Sequence, residues 1–236
     1  MKIELQKACW VPIITVMKEA GKEDKFEGMR RRMVEYDLKG KGIYDADVLR
    51  VMGQIRREDF VLPDYQPQAY ADGPLPIGSG QTISQPYIVA LMTQELRVKT
   101  DSIVLEVGTG SGYQTAILSR LAKKVYTVER LHELSEHAQA VLGRLGVGNV
   151  DFYIGDGSSG WLGQMVFDRI MVTAAVPSVP QPLINQLGEG GLLVVPVGPG
   201  WVQELVVCEK RKDKLTERVI CDVRFVKLIG EHGFEQ

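Results

Sequence analysis

The chain contains little cysteine, little histidine and almost no excess charge. Its 236 residues include three cysteines and three histidines, and 28 Lys plus Arg against 30 Asp plus Glu give a net charge of −2. An odd number of cysteines without a CxxC pair predicts free thiols in a reducing, cytoplasmic setting. Histidines that form no HxH or HxxxH pair predict no metal site. The charge balance predicts no nucleic-acid partner, because non-specific binding to nucleic acid requires excess positive charge.

Long hydrophobic runs are also missing. The apolar stretch 8–17 is interrupted by Pro12 and is far shorter than the roughly 20 residues that a membrane-spanning helix needs. We therefore expect no membrane association, and residues 1–24 are an N-terminal extension to which the sequence assigns no role. Hydrophobic residues make up 44% and charged residues 25% of the chain, as in ordinary globular domains. We expect residues 25–236 to form a single, monomeric domain.

The first part of that domain, residues 25–100, is predicted to be a helical cap on the substrate side. Apolar residues at steps of three and four predict three helices, over 24–39, 45–57 and 85–96. Asp45 and Ser84 are the predicted N-caps of the second and third helices. Residues 60–83 are rich in Pro, Gly, Gln and Asp and lack periodicity, so we expect a long loop there.

In the second part, residues 101–236, short β-branched runs alternate with helical segments, which is typical of a parallel sheet covered on both faces. Strands are predicted over 103–105, 125–128, 150–154, 167–172, 192–197, 204–209 and 219–226, and helices over 112–121, 131–145 and 180–187. No long helix separates the last two strands, and the lysine-rich turn 210–214 joins them, which predicts an antiparallel hairpin. The predicted fold class is α/β: a doubly wound, mostly parallel, seven-stranded, Rossmann-like sheet with N-terminal helices and a C-terminal hairpin.

A glycine-rich loop follows the first predicted strand of this part and opens a helix. Glycines let the backbone approach a ligand closely, and N–H groups at a helix N-terminus favour negative or polar atoms. A dinucleotide-binding GxGxxG motif would need glycine at 113, where the chain has Tyr113. The spacing is instead GxGxG with an acid two residues earlier. The predicted ligand contacts are Glu106, Gly108, Thr109, Gly110 and Gly112.

Two acids follow at the ends of the next strands, where open α/β sheets bind ligands. Glu129 lies 23 residues beyond Glu106 and can accept hydrogen bonds from both hydroxyls of a ribose. Asp156 can accept from the amino group of adenine, and Gly157 leaves room for the ring. Taken singly, Glu129 could be a helix cap and Asp156 a turn residue. Together with the glycine loop they resemble the nucleotide-binding site of class I methyltransferases, which implies S-adenosyl-L-methionine as cofactor and S-adenosyl-L-homocysteine as product.

Residues 75–87, LPIGSGQTISQPY, resemble the signature of the protein-L-isoaspartate O-methyltransferase family. Further similar segments are 172–175, 190–198 and 223–226, so the resemblance extends over about residues 26–234. It implies that the chain methylates isoaspartyl residues in damaged proteins and peptides, whose esters collapse through a succinimide. It also implies that Ser84 is the catalytic residue and that Thr82, Ile83 and Gln85 flank the substrate pocket.

The residue chemistry is compatible with a carboxylate acceptor. Such a group has a pKa near about 4 and is ionised at neutral pH, so its methylation needs no general base. Ser84 at a helix start can donate its hydroxyl to that carboxylate, although the same serine could be only a helix cap. Selectivity for isoaspartate must come from walls that hold the peptide backbone, and residues 60–83 and 174–180 are the candidates.

Two departures from the family pattern are visible, and two alternatives stay open. Lys227 stands where the family often has proline, and residues 1–24 extend beyond the usual start. The first alternative is a class I methyltransferase acting on RNA or a small molecule; the net charge and the lack of an Asn/Asp-Pro-Pro-Tyr motif count against it. The second is an inactive cofactor-binding scaffold, which the intact Ser84 and glycine loop count against.

Overall fold

The computed structural model describes residues 25–212 and 214–235, so the predicted extension 1–24, with Cys9, lies outside the described residues. The helices are α1 (Glu27–Arg32), α2 (Ala46–Gln54), α3 (Pro86–Leu96), α4 (Tyr113–Leu121), α5 (His132–Arg144) and α6 (Gln181–Gln186). The strands are β1 (Leu75–Gly78), β2 (Gln81–Ile83), β3 (Ile103–Val107), β4 (Lys124–Glu129), β5 (Val150–Ile154), β6 (Phe167–Val172), β7 (Leu187–Val197), β8 (Gln203–Arg211) and β9 (Lys214–Val223).

Seven strands form the main sheet in the order β5-β4-β3-β6-β7-β8-β9. The pairs from β5 to β7 are parallel, whereas β8 is antiparallel to both β7 and β9. The predicted α/β class, with a mostly parallel seven-stranded sheet and a C-terminal hairpin, is therefore confirmed. Because all parallel strands point the same way, their carboxyl ends share one edge of the sheet, and the loops that follow them meet there.

Two hydrophobic cores cover the two faces of this sheet. Val104 packs into a core that also contains side chains of α2 to α5, whereas its neighbour Leu105 packs into the other, which includes Leu183 of α6. Successive residues of a strand point to opposite faces, so a strand buried on both faces is expected to be mainly apolar. This fits β3, in which Glu106 is the buried exception, and the carboxyl half of β6, which is apolar and buried.

The N-terminal region differs most from the prediction. Residues 60–83 are not an unstructured loop, because they contain the 3₁₀ turn Pro63–Gln68 and the antiparallel hairpin β1–β2. Strands of four and three residues are too short to show a period-two pattern, so no periodicity predicts them. The first predicted helix is α-helical only in α1 and continues as the π-helical segment Met33–Leu38.

Ser84 is not the N-cap of α3, contrary to the prediction. The helix begins at Pro86, its N-cap is Gln85, and no side-chain hydrogen bond caps it. Proline fits the first helical position because its φ is fixed and it has no N–H to satisfy, so it sets the boundary one residue later than expected. The predicted cap of α2 is confirmed, since Asp45 accepts hydrogen bonds from the N–H groups of Asp47 and Val48.

The last strand also ends earlier than predicted, at Val223 rather than at Val226. The N–H of Phe225 is donated to the side chain of Gln203 at 2.9 Å, so it does not continue the strand ladder. Residues 224–226 consequently leave the sheet and are free to line the cleft described below.

Candidate active site

The glycine loop connects β3 to α4 at the carboxyl edge of the sheet. Gly108, Gly110 and Gly112 have φ values of 97°, 53° and 86°, all in the left-handed region that glycine adopts without strain. A Cβ at Gly108 would overlap the hydroxyl oxygen of Thr173, which donates a hydrogen bond to the Gly108 carbonyl at 2.6 Å. The predicted glycines are therefore needed for the shape of the loop itself, in addition to any approach of a ligand.

Glu129 ends β4 beside this loop and is 7% exposed. One carboxylate oxygen accepts a hydrogen bond from the N–H of Gly110 and the other from the N–H of Leu131, both at 3.0 Å. Glu129 is not the cap of α5, whose N-cap is Leu131. The two oxygens are thus held in fixed positions at the strand end and still have lone pairs that can accept hydrogen bonds from a ribose diol.

A cavity, which we call the cofactor cavity, lies over the glycine loop. The predicted cofactor residues that line it are Gly108, Thr109, Gly110, Glu129 and Gly157. Wall residues that the sequence reasoning missed include Tyr113, Gln114, Thr173 and 226–229. Tyr113 directly follows the last glycine and Thr173 directly follows β6, so their position next to strand ends could have revealed them. No local pattern marks 226–229, because the chain returns to the cavity from the far end of the sequence.

A second cavity, which we call the acceptor cleft, adjoins the first. The two share Thr82, Ser84, Thr173 and Val226, while Ile83 lines the cofactor cavity and Gln85 the acceptor cleft. Within the described residues the Ser84 hydroxyl makes no hydrogen bond, so it is available to a ligand. The structure therefore brings all four predicted substrate-side residues together and places Ser84 where the two cavities meet.

Glu106 is predicted to contact the cofactor, but the structure places it behind the cavity wall. Its carboxylate is fully buried, and one oxygen accepts hydrogen bonds from the hydroxyls of Thr115 and Thr127, both at 2.6 Å. The other oxygen has no partner among the described residues. Burial raises the pKa of Glu106 to about 7. Thr127 also lies 2.7 Å from the hydroxyl of Thr109, so Glu106 reaches the glycine loop through two threonines.

Asp156 is predicted to contact adenine, and in the structure its carboxylate is engaged by neighbouring groups of the chain. Its carboxylate accepts hydrogen bonds from the N–H and hydroxyl of Ser158, at 2.8 and 2.7 Å, and from the N–H of Glu231 at 2.7 Å. Asp156 does not line the cofactor cavity, whereas its neighbour Gly157 does. Two short-range bonds and one to the C-terminal segment hold the carboxylate, and its contact with adenine stays a prediction.

The described residues contain no cluster of side chains that could ligate a metal ion. Within 25–212 and 214–235, no group of three or more His, Cys, Asp or Glu side chains is arranged to hold a metal ion. In the same part of the chain, none of the helices has the length and apolarity to cross a bilayer.

Sheet topology, glycine loop and the acid at the end of β4 together define a class I S-adenosyl-L-methionine-dependent methyltransferase. The protein-L-isoaspartate(D-aspartate) O-methyltransferase family matches residues 29–233. A match over this length is decisive, and the chain belongs to that family.

Similar proteins agree with this assignment. Two relatives named protein-L-isoaspartate O-methyltransferase are from Methanoregula boonei, 51% identical over 87% of this chain and 95% of the relative, and from Nitrosococcus oceani, 53% identical over 82% and 89%. A solved protein-L-isoaspartate O-methyltransferase superimposes with a TM-score of 0.79 at 31% identity, over 86% of this chain and 67% of that one. The Plasmodium falciparum β-aspartate methyltransferase in complex with S-adenosyl-L-homocysteine superimposes with a TM-score of 0.75 at 27% sequence identity, over 85% of this chain and 98% of that one.

Proposed function

We propose that this protein transfers a methyl group from S-adenosyl-L-methionine to the carboxylate of L-isoaspartyl residues in damaged proteins and peptides. The neighbouring backbone amide nitrogen then attacks the ester carbonyl and methanol leaves, which forms a succinimide whose hydrolysis returns part of the material to the aspartyl linkage. The observation that carries the proposal is the position of Ser84, with an unused hydroxyl, at the junction of the cofactor cavity and the acceptor cleft.

The residues of the cofactor cavity fit this cofactor. Glu129 offers two fixed oxygens for the ribose hydroxyls, and the left-handed glycines of the loop keep side chains out of the space above β3. Gly157 leaves room for the adenine, and Gly108, Thr109 and Gly110 provide backbone and hydroxyl contacts. When bound, S-adenosyl-L-methionine would supply a methyl group on a sulfonium sulfur, and transfer of that methyl group to the carboxylate oxygen would leave S-adenosyl-L-homocysteine.

The chain's own contribution to the reaction is alignment and exclusion of water. The acceptor carboxylate is already ionised at neutral pH, so no side chain has to remove a proton. Ser84 donates its hydroxyl to one carboxylate oxygen and holds the other towards the cofactor cavity, while Thr82, Ile83 and Gln85 enclose it. Holding two reactants in line is among the largest sources of acceleration open to an enzyme, since it removes their freedom before the reaction begins.

Glu106 and Gly112 take indirect roles in this proposal. Glu106 holds the loop from below through Thr127 and Thr109, and Gly112 provides the left-handed turn into α4. Residues 25–100 act as the substrate-side cap and 101–236 as the cofactor-binding core of one domain.

We further infer that the enzyme works as a monomer in the cytoplasm, with no nucleic acid or membrane partner. The near-neutral charge supports this, and so do the two free cysteines among the described residues, Cys208 and Cys221. Sedimentation of the purified protein at several concentrations tests the monomer.

The test of the activity is methyl transfer from labelled S-adenosyl-L-methionine to two peptides that differ only in having isoaspartate or aspartate at one position. We expect base-labile label on the isoaspartyl peptide alone. If neither peptide is labelled while a calorimetric titration still shows cofactor binding, the methyltransferase class stands. The isoaspartyl carboxylate is then refuted as the methyl acceptor.

A further inference from the structure

Two neighbouring large apolar side chains are exposed on the loop between β7 and β8. Trp201 is 92% exposed and Val202 is 47% exposed. Single exposed apolar residues are common on protein surfaces, but a tryptophan this open, next to an exposed valine, is available for contact with a partner. Val202 lines the acceptor cleft and Trp201 directly precedes it in the chain, so we call this apolar pair the rim of the cleft.

The rim is anchored to the cleft wall. The buried side chain of Gln203 donates a hydrogen bond to the carbonyl of Gly200 at 2.6 Å and accepts one from the N–H of Phe225 at 2.9 Å. Gln203 thereby ties the loop that carries Trp201 to the neighbouring segment 224–226, which also lines the cleft. A preformed rim lowers the entropy that a ligand would otherwise spend on ordering it.

The acceptor cleft that contains Ser84 and Val202 is also lined by the apolar side chains of Ile88, Phe225 and Val226, together with the charged Asp222 and Arg224. A peptide whose isoaspartyl carboxylate reaches Ser84 can extend through this cleft, and a side chain next to the isoaspartate can then reach Val202.

We propose that Trp201 and Val202 form a subsite for an apolar side chain that flanks the isoaspartate in the substrate. The proposal rests on the proposed function, and it goes further by naming a preference for certain damaged sequences over others. Its occupant is the peptide itself, because the rim is continuous with the cleft that holds the acceptor.

The test uses a series of isoaspartyl peptides of equal length built from Gly, Ala and Ser. Each carries one phenylalanine at a different position beside the isoaspartate, and a reference peptide carries none. For at least one member, we expect wild-type protein to show a KM about threefold to tenfold below that of the reference, with unchanged kcat, as aromatic contacts of this kind provide. Trp201→Ala should lose that advantage, so that its KM for the phenylalanine peptide equals its own KM for the reference peptide.

Tyr36→Ala is the matched control, since this aromatic side chain is 71% exposed and lines neither cavity. It should keep the full preference. Equal KM values across the series, or a preference that survives in Trp201→Ala, would overturn the subsite. A contact between two copies of the chain would instead appear as a change in sedimentation of Trp201→Ala with unaltered KM ratios, which also overturns it. If the wild-type protein methylates neither the reference peptide nor any other isoaspartyl peptide of the series, the proposed function fails, independently of the subsite.

Discussion

The carboxylate of Asp156 accepts a hydrogen bond from the backbone N–H of Glu231 at 2.7 Å, across a separation of 75 residues. The approach is so close that a Cβ at Gly230 would overlap the same carboxylate. Residues 226–229, just before this contact, line the cofactor cavity. Asp156 therefore holds the C-terminal segment over the cavity, and its effect on cofactor binding should be indirect.

Asp156→Ala should weaken binding of S-adenosyl-L-homocysteine by about tenfold, because hydrogen bonds to a charged carboxylate are lost and the segment loosens. The weakening should be equal for an analogue that lacks the adenine 6-amino group. Gly230→Ala should act in the same way while leaving Asp156 in place. Isothermal titration of both ligands checks this, and a loss confined to the adenine ligand would show a direct contact instead.

Ser84→Ala should separate catalysis from stability. A hydrogen bond to a charged group is worth about 1.5–3 kcal/mol, so we expect kcat for an isoaspartyl peptide to fall by about tenfold to hundredfold. The melting temperature should not change, because Ser84 does not cap α3. Asp45→Ala is a control with the reverse expectation, because Asp45 does cap a helix, α2. It should lower the free energy of unfolding by about 1 kcal/mol and leave kcat normal. A destabilised Ser84→Ala with normal turnover would contradict the catalytic role.

Gly108→Ala should abolish cofactor binding and destabilise the fold. The left-handed φ of 97° costs a residue with a Cβ about 1–2 kcal/mol, and the new atom also overlaps the Thr173 hydroxyl. Gly73→Ala serves as control, since nothing lies within 4 Å of a Cβ there. The double variant Gly108→Ala/Thr173→Ala should have a higher melting temperature than Gly108→Ala alone. If the losses in stability of the two single variants simply add in the double variant, the steric cause is refuted.

The parts of the site that the sequence predicted are those encoded locally. The glycine loop and Glu129 follow from short motifs at the ends of strands, and the substrate-side residues lie in one continuous segment, 82–85. The orientation of Asp156 could not be predicted, because its partner Glu231 belongs to a segment that returns only in the folded chain. The β1–β2 hairpin was hidden for a different reason: its strands are held by cross-strand pairing and are too short for a periodic pattern.

The buried position of Glu106 predicts a pH dependence of stability. Its pKa is about 7 in the folded protein, mainly through burial, against 4.5 as its ordinary value. Between these two values the folded state binds more protons than the unfolded state, so stability falls as pH rises through this window and levels off above it. The shift corresponds to roughly 3 kcal/mol between pH 4.5 and pH 8. Glu106→Gln cannot lose a proton and should lack this decline.

Urea unfolding of wild type and Glu106→Gln at a series of pH values gives the free energy of unfolding of each protein. The difference between the two proteins isolates Glu106, because the contributions of the other titratable groups cancel. Thr127→Val provides the matched variant. It removes a hydroxyl that donates to the ionised carboxylate, so it should raise the pKa further and extend the decline to higher pH. Parallel curves for wild type and Glu106→Gln would mean that the carboxyl group titrates alike in both states. A curve for wild type that rises with pH relative to Glu106→Gln would reverse the sign and place a favourable charge at this position.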